Sequence, residues 1–335
     1  MLKSVTLRNF KSFGEEQTVP LQPITVLVGP NNSGKSSFIS VASFLRACLT
    51  ASDSNVVARG AEVDFLFHRP VTGDSRMYLR WDLGDISHAF EVARQASSAY
   101  LTPETWTALR SIRVQASSPY QQIASPWLNS RVVKLALPAL QEDARVVESP
   151  RLDASGAGLA AVLGLWRNFD MERAARLDAF VHACLPEIKH VLARPGEGTQ
   201  RLWVEQTDGE KFDSLHLSDG VLYFIGLAMQ VIEAEPGSLL FIEEPEQSIH
   251  PRRLAQVVDH LRKAVEQFDC QFVIATHSPV LLNAFRDEPE AIVLFRRGEH
   301  GTRTRTLAEV PELVAALRKA DPGDLLANGF FNDAF

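Results

Sequence analysis

Three observations predict an α/β fold, a parallel sheet covered by helices. A short β-branched run, "ITVLVG" (24–29), leads through a glycine-rich loop into apolar residues at helical spacing. After "RLWVEQ" (201–206), helix-like and strand-like segments alternate, as they do in a sheet built from βα units. Two later apolar runs, "LLFIEE" (239–244) and "FVIATH" (272–277), end abruptly in carboxylates and in a histidine. Ligands of such sheets gather at the carboxyl ends of the strands.

The elements follow in order. Residues 1–28 read as three strands, "KSVTLRNF", "EEQTVPL" and "ITVLVG". Apolar residues at Phe38, Ile39, Val41, Ala42, Leu45 and Leu49 predict a helix reaching about Leu49. "SRMYLRWDL", "SIRVQAS" and "RVVKLAL" read as further strands. From Gly156 to about Leu192 the pattern is helical, in "GLAAVLGLWRNF" and "ERAARLDAFVHACL", and predicts an inserted helical arm closed by "ARPGEGTQ". Then come helix "SDGVLYFIGLAMQVIEA", strand "GSLLFIEE", helix "PRRLAQVVDHLRKAVEQ" and strands "QFVIATHS" and "AIVLFRR". The expected division is a core lobe over 1–95, inserted strands and arm over 96–195, and a second core lobe over 196–335.

Composition sets limits on function. The 335 residues are 45% apolar and 22% charged, enough for a core and unlike a disordered chain. A net charge of −7 gives no global attraction to nucleic acid, so DNA contact needs a local basic patch. Three cysteines, Cys48, Cys184 and Cys270, are widely spaced and read as buried apolar residues in a reducing compartment. No apolar run reaches the roughly 18–20 residues of a membrane helix. "MLKSVTLRNF" alternates like a strand and lacks the apolar core of a signal peptide, so the expected location is cytoplasmic, away from membranes.

The loop "GPNNSGKS" meets G-x-x-x-x-G-K-[ST] through Gly29, Gly34, Lys35 and Ser36. Inward N–H groups of such a loop cradle phosphates, its lysine neutralises their charge and its serine ligates Mg²⁺. The strand–loop–helix context predicts a P-loop NTPase, with phosphate contacts from Asn32, Ser33, Gly34, Lys35, Ser36 and Ser37. Glu243 and Glu244 end an apolar strand, where one carboxylate can serve Mg²⁺ and the other the attacking water. A charged strand end facing solvent is the plainer alternative. His277 ends a second such strand and is read either as a γ-phosphate contact or as a satisfied structural histidine. Ser218 and Gly220, in "LHLSDG", open a helix whose N-terminus suits an anion, or is simply capped.

Taken together, "GPNNSGKSS", "LSDG", "LLFIEEPEQSIHP", "ATHSP" and the opening "LKSVTLRNFKSF" resemble ABC-type ATPase heads. More narrowly they resemble the OLD (overcoming-lysogenisation-defect) and AAA15/AAA21-like branch, related to RecF and SMC heads. The resemblance covers residues 1–50 and about 210–285. It implies a head with a mixed sheet and helical insertion, ATP and Mg²⁺ as cofactors, and two heads sandwiching two nucleotides. Lys35 then holds phosphates, Ser36 and Glu243 serve Mg²⁺, Glu244 is the general base and His277 the switch histidine. Ser218 and Gly220 contact the γ-phosphate held by the other copy. Three departures stand out: Glu243 replaces the usual aspartate, no glutamine follows the first helix ("FLFHRP" around His68 lies near its place), and Tyr223 stands where arginine is common.

Other signals carry less. Arg296, Arg297, Arg303 and Arg305 flank a glycine turn and read as an exposed edge hairpin, with phosphate grip as the alternative. Arg252 and Arg253 follow the acidic loop, and Arg176 with His182 has a loose spacing seen in some ribonucleases. Phe330, Phe331 and Phe335 either pack on the head or face a partner. The leading functional expectation is an ATPase homodimer that switches a separate effector, a nuclease of an anti-phage defence pair being the first candidate. The alternatives are a RecF-like ATP-dependent DNA-binding repair protein and an ATP-gated scaffold with little turnover.

Overall fold

The computed structural model describes residues 1–50, 56–59, 65–68, 76–95, 98–102, 105, 119–234, 236–247 and 249–335. The strand expected at "SIRVQAS" lies outside these residues.

In chain order the elements are β1 (Ser4–Arg8), β2 (Gln17–Pro20), β3 (Ile24–Val28), α1 (Lys35–Thr50), β4 (Val56–Arg59), β5 (Arg76–Asp82), β6 (Ser87–Gln95), β7 (Ser98–Leu101) and α2 (Pro119–Leu128). Then come β8 (Arg131–Val133), α3 (Leu137–Gln141), β9 (Ala144–Arg145), α4 (Leu159–Phe169), α5 (Met171–Cys184), β10 (Ile188–Pro195), β11 (Thr199–Gln206) and β12 (Lys211–Asp213). The remainder is α6 (Asp219–Glu233), β13 (Leu239–Glu243), α7 (Pro251–Phe268), β14 (Gln271–Ala275), α8 (Pro279–Asn283), β15 (Ile292–Gly298), β16 (Gly301–Thr306), α9 (Pro311–Ala316) and α10 (Pro322–Ala327). They divide into two compact units, Met1–Arg131 with Pro236–Phe241 and Phe268–Phe335, and Val132–Glu235 with Ile242–Gln267.

The first unit holds an antiparallel sheet of order β2-β1-β5-β6-β7-β4. Along β5, Met77, Leu79 and Trp81 are buried while Arg76 and Arg80 face out, the period-2 pattern of a one-sided sheet. Trp81 packs edge-on against Trp127 of α2, ring centroids 5.8 Å apart. The mixed sheet has the order β16-β15-β3-β14-β13-β8. Here β3 is parallel to both β14 and β15, and β16 turns back antiparallel. Every residue of β3 and β14 is buried, as parallel strands covered on both faces must be. From α1, Phe38 meets Phe241 at 6.4 Å and Phe295 at 6.1 Å, edge to face.

In the second unit β9, β10, β11 and β12 form an antiparallel sheet beside α4 and α5. Arg167 of α4 donates to Asp178 of α5 at 2.5 Å and to the Val191 carbonyl of β10 at 2.9 Å, tying two helices to the sheet. Asp170 caps α5 by accepting from Arg173 N–H at 3.0 Å. In α6, Leu222 and every residue from Phe224 to Ile232 are buried, so this helix is enclosed nearly all round.

Two expected elements change. The helical reading to Leu192 stops at Cys184, because Pro186 disfavours helix at Leu185 and the chain from Ile188 pairs with β11 as a strand. "RVVKLAL" is strand only as far as Val133; Lys134 N–H then donates to the Ala154 carbonyl, and Pro138 sits in the first turn of α3. Cys48, Cys184 and Cys270 are buried free thiols, and burial pushes Cys184 and Cys270 up to about 11. No helix among the described residues is long and apolar enough to cross a membrane.

Candidate functional site

At the end of β3 the chain folds back on itself under close steric control. Asn32 (φ 62°) and Gly34 (φ 113°) are left-handed, a conformation natural to glycine and tolerated by asparagine. A Cβ on Gly34 would lie 2.1 Å from Thr302 Oγ1 and 2.8 Å from Ser12 Oγ, so position 34 admits only glycine without rearrangement. Thr302 Oγ1 donates to the Ser33 carbonyl at 2.9 Å and meets Ser12 Oγ at 2.8 Å. Thus β16 and the 10–13 turn brace the loop from outside. Lys35 is buried, its Nζ donating to the carbonyls of Gly29 (2.6 Å) and Pro30 (3.1 Å). Phe38 N–H donates to the Gly34 carbonyl, starting α1, while Ser36 is exposed and Ser37 half-buried at its N-terminus.

His277 follows β14, whose Ala275 is in register with Leu27 of β3. That pairing brings it to the loop: His277, Gly29 and Pro30 line one cavity of about 130 Å³ with Phe295 and Phe331. Ser278 Oγ accepts from Leu281 N–H at 3.2 Å and so caps α8 behind the histidine. Phe331 is buried against this wall, whereas Phe330 remains 49% exposed.

The second unit carries the acidic strand end. Glu243 is half-buried, and Lys134 Nζ lies 2.9 Å from its Oε2. The hydrogen bond that Lys134 donates to Glu243, then the Glu243 charge, raises the Lys134 ammonium above the ordinary lysine range, and the Glu244 charge adds to this. Glu244 is left-handed (φ 48°), directly before Pro245, where extended backbone is preferred. The Gln247 side-chain amide donates to the Glu244 carboxylate, and Gln247 N–H donates to the Glu244 carbonyl at 3.0 Å. Lys134, Tyr223, Glu243, Glu244 and Gln247 line a cavity of about 290 Å³ floored by Leu227 and Ile242. Ser218 is exposed at the N-cap of α6, but its hydroxyl makes no cap hydrogen bond; Gly220 lies in the first turn.

The loop after β3 has the form of an anion cradle. The Gly34 cradle closes the moment a Cβ is added, and the buried Ser33 Oγ has no hydrogen-bond partner among the described residues. The Ser36 hydroxyl and the Glu243 carboxylate are hard oxygen donors, as Mg²⁺ prefers. Ser36, Lys35 and His277 belong to the first unit, and Ser218, Gly220, Glu243 and Glu244 to the second.

The lesser signals are absorbed locally. His182 Nδ1 lies 2.9 Å from the Ile188 carbonyl, and Arg176 pairs with Glu172 at 3.1 Å. Arg303 pairs with Glu15, Arg305 donates to the Ala334 and Glu309 carbonyls, and Arg253 pairs with Glu187. His68 is buried with Nδ1 3.0 Å from the Lys11 carbonyl. Sequence reasoning missed Lys134, Ser12 and Thr302. Thr302 left one trace, a threonine alternating with arginines in "GTRTRT"; Lys134 left none, being 109 residues from its partner.

Residues 24–283 match the family described as "AAA domain, putative AbiEii toxin, Type IV TA system". No curated protein matches the chain. Among solved structures, the SMC head domain from Thermotoga maritima is 15% identical, with a TM-score of 0.53 over 91% of this chain and 98% of that one. An SMC head bound to the C-winged helix domain of ScpA is 13% identical, with a TM-score of 0.60 over 92% and 99%. A head from Pyrococcus furiosus with an extended coiled coil, bound to the C-terminal domain of ScpA, is 10% identical, with a TM-score of 0.58 over 95% and 99%. At such identities the likeness is one of fold, and that fold is the P-loop NTPase head with a mixed sheet expected from the sequence.

Proposed function

The chain belongs to this AAA family, and from that premise we propose that it is a Mg²⁺-dependent ATPase whose two copies close head to head around ATP. The observation that carries the reading is the cradle after β3, where His277 shares a cavity with Gly29 and Pro30. Mg²⁺, when bound, supplies charge neutralisation at the phosphates. Lys35 would exchange its two loop carbonyls for phosphate oxygens, and Ser36 and Glu243 are the residues that would hold the cation. Glu244 takes the proton of the attacking water, and His277 orients the terminal phosphate. The Ser218 hydroxyl, which makes no cap hydrogen bond, and the Gly220 N–H, at a helix N-terminus, would close on the nucleotide of the second copy.

The cycle then switches a separate effector protein, with a nuclease of an anti-phage pair as the first candidate. Two of the solved SMC heads carry bound ScpA domains, a precedent for a partner docked on a head. A second reading, a scaffold with little turnover, is favoured by one observation, the Lys134 ammonium on Glu243. Turnover that stays unmeasurable with ATP, Mg²⁺ and partner present would select it. Of the hairpin arginines, Arg303 pairs with Glu15 and Arg305 donates to the Ala334 carbonyl, while Arg296 and Arg297 are exposed and are what the DNA-binding alternative would use.

The test is the solution mass of Glu244→Gln with and without Mg-ATP. We expect the mass to double with ATP, and to stay single in Glu244→Gln combined with Lys35→Ala or Ser218→Arg. An unchanged mass with ATP demonstrably bound would overturn closure by two copies of this chain.

A further inference from the structure

The acidic strand end already holds a cation of its own. Lys134 reaches Glu243 from the segment after β8, and its backbone is pinned by N–H donation to the Ala154 carbonyl at 2.8 Å. Only the side chain is left to move. The Glu243 side chain is 16% exposed and held at the strand end, whereas that of Lys134 is 69% exposed. One partner is therefore fixed, and the other is a solvent-side arm. The neighbouring carboxylate, Glu244, is met by a neutral amide from Gln247, so Lys134 supplies the positive charge at this pair of acids.

We propose that Lys134 is a built-in counter-cation that occupies Glu243 before the divalent ion arrives and yields the carboxylate when it binds. The inference rests on the reading of Glu243 as a Mg²⁺ residue. Lysine suits the task, because its ammonium makes a single point contact on a flexible stem and lets go readily. Arginine would clamp the same carboxylate with two parallel bonds. The cavity of about 290 Å³ beside the pair, lined by Lys134, Tyr223, Glu243 and Glu244, offers room for the waters that Mg²⁺ keeps when it binds. With Lys134 on the solvent side the pair is only partly desolvated and stays weak, so the ammonium competes with a metal without excluding it. Lys134 is then a positioning residue that sets the Mg²⁺ concentration at which the site loads.

The experiment is a Mg²⁺ titration of the binding of a fluorescent, non-hydrolysable ATP analogue at low salt, which reads loading without turnover. Lys134→Met keeps the stem and removes the charge. It should lower the Mg²⁺ half-saturation about two- to five-fold, the range a weak exposed pair allows. Lys134→Arg should raise it, and Lys134→Gln serves if the methionine variant folds poorly. The effect of Lys134→Met should vanish in a Glu243→Gln background. If Lys134→Met leaves the half-saturation unchanged while Glu243→Gln raises it, Lys134 is a static ion pair and the inference falls alone. If Glu243→Gln changes nothing, the metal role of Glu243 falls and takes the inference with it.

Discussion

The ends of β3 and β13 both turn through left-handed residues, yet they are built on opposite terms. After β3 the left-handed positions are Asn32, which tolerates that backbone, and Gly34, where a Cβ would strike Thr302 and Ser12. After β13 the left-handed position is Glu244, a residue for which that backbone is unfavourable, placed before a proline that makes it more so. Packing explains the first. The second keeps its side chain against the local preference, which persists only where the surroundings hold it, here with Gln247 bonded to both its carboxylate and its carbonyl. One strand end is thus a backbone device and the other a side-chain device.

The largest effect should come from removing the side chain at the second. Glu244→Gly suits the backbone, so we expect stability within about 1 kcal/mol of the parent, strain relief offsetting glycine's entropy. Turnover should fall about 10²- to 10⁴-fold with the loss of the base. Urea unfolding and steady-state phosphate release check the two halves. A comparable loss of stability would mean that the glutamate is there for the fold.

The mirror change, Gly34→Ala, should do the reverse damage. Left-handed strain and overlap with Thr302 together predict a loss of about 2 kcal/mol or more in unfolding free energy, with nucleotide binding lost. A stable variant that binds ATP normally in equilibrium titration would break the comparison.

A smaller effect should separate the regions by pH. In the second unit Arg201, hydrogen-bonded to Asp143, holds that carboxyl below the ordinary aspartate range, against the opposing pull of burial. Asp213, opposed first by burial, is likewise lowered by its bonds to His216 and Arg201. A depressed carboxylate stabilises the fold above its unfolded pKa, and that contribution is lost as pH falls through the folded value. The melting temperature should therefore drop below about pH 4. The drop should be shallower in Arg201→Met; equal slopes in both proteins would remove this pair from the account.

Legibility followed range along the chain. The strand, loop and helix around Gly34 were readable because a β-branched run, two fixed glycines and helical spacing lie within about one βα unit. So was α6, whose apolar residues run almost unbroken from Leu222 to Ile232. The strand β10 was read as helix because "KHVLA" is short and ambiguous in period; pairing with β11 and Pro186 decided it. The hairpin of β6 and β7 was missed, its polar positions diluting the alternation.

The sequence by itself determined the phosphate loop, the two acids and the histidine at strand ends, and the cap position of Ser218. Each is fixed by residues a few positions apart, where period and turn chemistry act. Tertiary structure alone decided what those groups touch: Thr302 and Ser12 against the loop, His277 beside Gly29, Lys134 on Glu243. Such pairings join residues up to 290 positions apart, and no local preference selects them. They follow from the order of strands in the sheet and from which charged arm is anchored within reach.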